Sequence, residues 1–114
     1  MRLPIEKAIL ATFLYRDLLS EKDYDLIFDY KIPYNLFKAN RTHKLIAKAI
    51  FNLSNDDMPY DEITVLNFVS KQISINEVEW LDVLSANPIT FHTMKGYVRQ
   101  LEEINHADYI RSVR

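Results

Sequence analysis

Residues 43–50 read HKLIAKAI, and residues 59–65 read PYDEITV. The first stretch predicts a helix with Asn40 as its N-cap and Leu45, Ile46, Ala49, Ile50 and Leu53 as its buried stripe. The second opens on a proline and an acid. Asp61 is the predicted N-cap of another helix, with Thr64 in the same start and Val65, Leu66 and Val69 inside. The polar run SNDDMP at 54–59 separates the two. Ile63, Thr64 and Val65 lean toward strand, but the run is short and no partner strand is in view. Helix, polar break, helix is therefore the rhythm that decides the fold, and the flanking sequence repeats it.

Upstream, a first helix is expected from about Pro4 to Leu19. Pro4 suits a first helical turn, and Glu6 suits the positive end of the helix dipole. Ile5, Ile9 and Phe13, with Leu10, Leu14 and Leu18, give it a broad apolar face. Asp23 is a candidate cap for a short second helix carrying Tyr24, Ile27 and Phe28, and Pro33 then breaks the chain. Leu36 and Phe37 are the expected anchors of the connection. Downstream, Asn76 with Glu79 three residues later forms a capping-box variant. It opens a helix expected to bury Trp80, Leu81 and Leu84 and to end at Asn87-Pro88. Thr90 caps a last helix whose apolar face is marked by Met94, Val98, Leu101 and Ile104, with Phe91 and Tyr97 beside it. These elements make an all-α, compact single-domain bundle of about six helices.

Composition agrees. A chain of 114 residues is of one-domain size, and 48% hydrophobic residues argue against disorder. There is no cysteine, so disulfides and thiolate metal sites are excluded. No apolar run approaches the roughly 18 residues of a membrane span, and MRLPIEKAIL lacks the pattern of a signal peptide. The single glycine, Gly96, excludes both the P-loop and the dinucleotide fingerprint. No HExxH motif occurs. The 14 basic and 16 acidic residues leave a net charge of −2, which is not the basic excess of a nucleic-acid-binding domain, although a local basic patch is compatible with it. A cytoplasmic setting and no strong nucleic-acid binding are expected.

The residues that invite a chemical role have plainer readings. His43 has no second ligand at i+3 or i+4, so a structural place near the Asn40 cap is favoured over a metal. His92 and His106 lie 14 positions apart on one predicted helix, about 21 Å and too far to share an ion. Asp56, Asp57, Asp61 and Glu62 lack the glycine of a calcium loop and read as a solvated turn with a cap. Tyr24, Phe28, Tyr30, Tyr34 and Phe37 suggest base stacking, but DYDLIFDYK is acidic and would repel phosphate, which favours core or a protein interface. Trp80 reads as core. On the last helix Arg99, Glu102, Glu103, Asp108, Arg111 and Arg114 read as a solvated face. Val98, Ile104, Ile110 and Val113 are expected to be exposed and, with Phe91, to form an interface for self-association. Ile9, Phe13, Phe37, Asn40, Ile46, Ile50, Asp61, Thr64, Trp80, Leu84 and Tyr97 are the expected core and cap residues.

Taken together, IEKAIL (5–10), HKLIAKAIFNL (43–53), MPYDEITVLNFV (58–69), WLDVLSANP (80–88) and the tyrosine at Tyr97 resemble the N-terminal domain of DnaB-family replicative DNA helicases. The blocks occur in the family's order and span nearly the whole chain. Three positions depart from the pattern: Ala11 stands where glycine is frequent, Ala47 replaces a phenylalanine, and Phe37 lies one residue further from His43 than usual. The resemblance implies a non-catalytic collar domain over residues 1–114, with a helical hairpin, a linker and a RecA-like ATPase domain expected downstream of IRSVR. It implies no cofactor in this chain, since ATP and magnesium belong to the motor domain. It implies self-association as dimers within a hexameric ring, and contact with primase and a helicase loader. The alternative is the similar helicase-binding domain at the C-terminal end of a bacterial primase. The near-terminal IEKAIL and the Pro59, Asp61, Thr64 block favour the helicase side.

Overall fold

The computed structural model describes residues 1–71 and 74–113 of the chain. It contains α1 (Arg2–Leu14), α2 (Glu21–Phe28), α3 (Arg41–Asn55), α4 (Glu62–Ser70), α5 (Glu77–Leu84) and α6 (Phe91–Ser112), with single 3-10 turns at Arg16–Leu18 and Tyr34–Leu36. No strand occurs among the described residues, and residues 63–65 are helical. The radius of gyration is 13.8 Å, close to the ~13 Å of one compact domain of this length.

Most helices start on a side chain that satisfies their first free amides. Asn40 accepts from the His43 N–H at 2.8 Å, Asp61 from Ile63 and Thr64, Asn76 from Glu79 and Thr90 from Thr93. For α2 the cap is Ser20, which accepts from the Asp23 N–H. Asp23 itself sits in the first turn, where its charge favours the helix. Only half of the capping box at Asn76 forms, because the Glu79 carboxyl reaches away to accept from the Thr42 hydroxyl at 2.6 Å. At its far end α3 closes with Asp57 in the left-handed region, at φ 56°. Met58 N–H donates to the Leu53 carbonyl and Asp57 N–H to that of Ser54, the double bond of a Schellman cap with aspartate where glycine is usual.

α1 is apolar on nearly every side, and it is the central element, packed against α3, α5 and α6. It stops at Leu14, not Leu19. Tyr15 leaves the helical path and donates its hydroxyl to the Leu84 carbonyl at 2.8 Å. Arg16 turns back over the Tyr24 ring, 4.2 Å from its centroid, and donates to the hydroxyls of Tyr60 and Tyr24. Leu18, expected inside, is 72% exposed, and Phe28 on α2 is also exposed. Ile9, Phe13, Phe37, Ile46, Ile50, Val65, Val83, Met94 and Leu101 build the interior, with Trp80 at its border. On α5 the buried stripe runs Trp80, Val83, with Leu84 half-buried; Leu81 points to solvent. Leu45, Leu66 and Tyr97 are half-buried against the same core.

Four polar side chains lie inside the core, and they explain how its helices are aligned. Glu6 is fully buried. Its carboxyl accepts from the backbone N–H of Lys38 at 2.9 Å and of Ala39 at 3.0 Å, and lies 2.8 Å from His43 Nδ1. One acid thus pins α1, the connection after Phe37 and the first turn of α3. Thr12 donates to the Ala8 carbonyl and accepts from the Ile89 N–H at 3.0 Å, tying α1 to the chain just before α6. Among the described residues no buried side-chain nitrogen or oxygen lacks a partner.

Candidate protein-interaction surface

α6 passes through two environments. Its first half seats Met94, Val98 and Leu101 in the core at spacings of four and three. From His106 onward every described residue is exposed. At 1.5 Å per residue those outer turns extend about 12 Å beyond the packed part. Arg2 anchors their root: it donates to the side chains of Asn105 and Asp108. Asn105 in turn donates to the Leu36 carbonyl at 3.0 Å, and Asp108 lies 3.8 Å from Arg111 on the same helix. The outer turns are therefore held at a fixed angle to α1.

The five residues expected at the interface separate into two groups. Val98 is only 7% exposed. It belongs to the buried stripe with Met94 and Leu101, so its reading as an exposed contact is corrected. Ile104 and Phe91 are half-buried against the core. Phe91 meets the Tyr30 ring edge-on, with centroids 5.6 Å apart. Tyr30 is enclosed there between Phe91 and Phe13. Burial pushes its hydroxyl pKa up, and the charge of Glu102 adds to the shift. Ile110 and Val113 are exposed, at 42% and 61%. Tyr109, not among the expected interface residues, joins them at 63%. Residues 109, 110 and 113 share a face by their i+3 and i+4 spacing, which was the available signal. Arg114 lies outside the described residues.

Catalysis has little to work with in this arrangement. His43, the histidine paired with a carboxyl group, is 1% exposed and sealed within the core. Asp61 spends its carboxyl on the α4 cap. Among the described residues no group of three or more His, Asp or Glu side chains is placed to hold a metal ion. No helix there is long and apolar enough to cross a membrane. Two further exposed apolar side chains, Phe28 and Met58, lie at the Arg16 side of the molecule, around a hollow of about 430 Å³ that Arg16 and Tyr60 also line.

A family model described as DnaB-like helicase N terminal domain matches residues 2–103. The match takes in α1 to α5 and the core half of α6; Tyr109, Ile110 and Val113 lie beyond it. No curated protein and no solved structure matches the chain.

Proposed function

The chain belongs to the DnaB-like helicase N terminal domain family, and on that premise we propose that it is the non-catalytic collar domain of a replicative DNA helicase. It works by contact: with copies of itself as dimers within a hexameric ring, and with primase or a helicase loader docking on that ring in the cytoplasm. ATP and magnesium would serve a RecA-like motor domain of the parent helicase, not these residues.

One observation carries the reading. The outer turns of α6 present Tyr109, Ile110 and Val113 to solvent on a helix whose root is fixed by Arg2, Asn105 and Leu36. A rigid helix with an uncovered apolar face is a surface for another helix. The patch is small, so the isolated domain is expected to pair only in the micromolar range or more weakly, about −8 kcal/mol at best. Replacing Ile110 and Val113 together by glutamate tests this. Both side chains are exposed, so stability is expected to stay within about 0.5 kcal/mol of the parent. Sedimentation velocity across a concentration series is expected to show a dimerising parent and a monomeric variant. A parent that stays monomeric at high concentration, or a variant that dimerises equally well, would refute the α6 surface.

A further inference from the structure

α3 turns a row of cations to solvent. Of its residues up to Asn52, the exposed ones are Arg41, Lys44 and Lys48; the others are half-buried or buried. Spacings of three and four put them on one face over about 10 Å, the reach of two to three phosphates along a strand. Lys38 joins Lys44 and Lys48 around a hollow of about 230 Å³ that Tyr34 and Asn35 also line. Among the described residues none of these four cations has a carboxyl partner.

The net charge of −2 hides this segregation. Residues 30–55 hold five bases and no acid, whereas nine of the 16 acids fall within residues 15–31 and 54–62. The arrangement also works against α3 itself. Arg41 is its first residue and Lys44 its fourth, its first turn has no acid, and Asp56 is its C-cap. A helix dipole favours the opposite order at both ends. The helix dipole therefore gives no reason for Arg41 and Lys44 at this place, while binding of an anion does, because these two cations add to the positive end of a helix of 15 residues.

We propose that Lys38, Arg41, Lys44 and Lys48 form a binding site for the phosphate backbone of single-stranded nucleic acid. A protein partner would need an apolar anchor, and no apolar side chain is exposed on α3 between these cations. A regularly repeating anion needs only the row. Tyr34, packed against Phe51 with ring centroids 4.6 Å apart, adds an aromatic surface at the same hollow on which a base can stack. This site stands independently of the collar reading, because it uses no residue of α6.

Fluorescence anisotropy of a labelled single-stranded oligothymidylate against the 114-residue chain tests it. Binding is expected in the micromolar range at low salt. With Lys38 added to the row, three to four phosphate contacts predict a slope of about −2 to −3 in log K against log salt, a loss of roughly 20- to 50-fold between ~50 and ~200 mM. The double variant Lys44→Glu with Lys48→Glu is expected to weaken binding at least tenfold. Lys22→Glu with Arg99→Glu changes net charge equally away from the row and is expected to leave it within twofold. Arg41→Glu provides a second variant whose folding is favoured, since an acid suits a helix start. No binding at low salt would overturn the site, as would equal loss in both double variants. So would polyglutamate competing as well, charge for charge, as the oligonucleotide; the row would then serve an acidic protein.

Discussion

At the scale of single residues the fold turns on Glu6. Its carboxyl is the common partner of two backbone amides and of His43, all drawn from segments 32 to 37 positions away in sequence. Removing it leaves the buried His43 and two part-buried amides without their partner, and unpartnered buried groups are costly. Glu6→Ala is therefore expected to lose about 3–5 kcal/mol, much of the stability of a domain this size. Glu6→Gln keeps one acceptor oxygen and is expected to lose less. Urea unfolding followed by circular dichroism checks both; a loss under about 0.5 kcal/mol for the alanine variant would place Glu6 at the surface. None of this was legible beforehand. Local signals place Glu6 near the positive end of a helix dipole and His43 near a cap, which is true of their positions and silent about their pairing. Local rules see three or four residues along the chain, and this contact joins two distant stretches. The same limit explains Leu18: its spacing fits the α1 stripe, but the chain turns at Tyr15 to satisfy Leu84 and seat Arg16.

Helix starts are the elements the sequence disclosed best. Asn40, Asp61, Asn76 and Thr90 act within three residues of themselves, so residue type and spacing suffice to find them. The α2 cap is Ser20, three positions before the expected Asp23, and its residue type carries the same signal. Faces of short helices were harder. On α5 the turn from Trp80 to Val83 decides which side is buried, and Leu81 is as apolar as the residues that are. The α4 start makes a pH-dependent prediction. Hydrogen bonding from the Thr64 N–H holds the Asp61 pKa below its ordinary 3.8, against the opposing push of burial. A depressed folded-state pKa gives stability that is present above the unfolded value and lost as pH falls through the folded one. Asp61→Ala is thus expected to cost about 1 kcal/mol near neutrality. The gap to the parent should narrow as pH drops below 3.8. Thermal melts of both proteins over that range check it; a gap that stays constant would mean that the carboxylate charge has no part in the cap.

At the scale of the whole molecule, charge and apolar surface are distributed in ways a composition cannot show. A net charge of −2 conceals blocks of like sign along the chain, which the fold sets out as a cationic row on α3 and an acidic side around α2 and the turn after α3. The apolar residues of α6, which one periodicity joins into a single stripe, divide where the core ends: Val98 and Leu101 inside, Tyr109, Ile110 and Val113 outside. The order of the helices and most of the core were legible because amphipathic spacing is local. The point at which α6 leaves its own core was not, since it depends on how far α1 and the Tyr34–Leu36 turn extend beside it. That point decides which surface is left to meet a partner. Amide hydrogen exchange, measured at low and high protein concentration and resolved along the chain, locates the association surface directly. Protection is expected to rise with concentration over residues 106–113 and to stay unchanged along α3. A rise confined to the Phe28 and Met58 side, or no concentration dependence anywhere, would contradict a domain that assembles through its last helix.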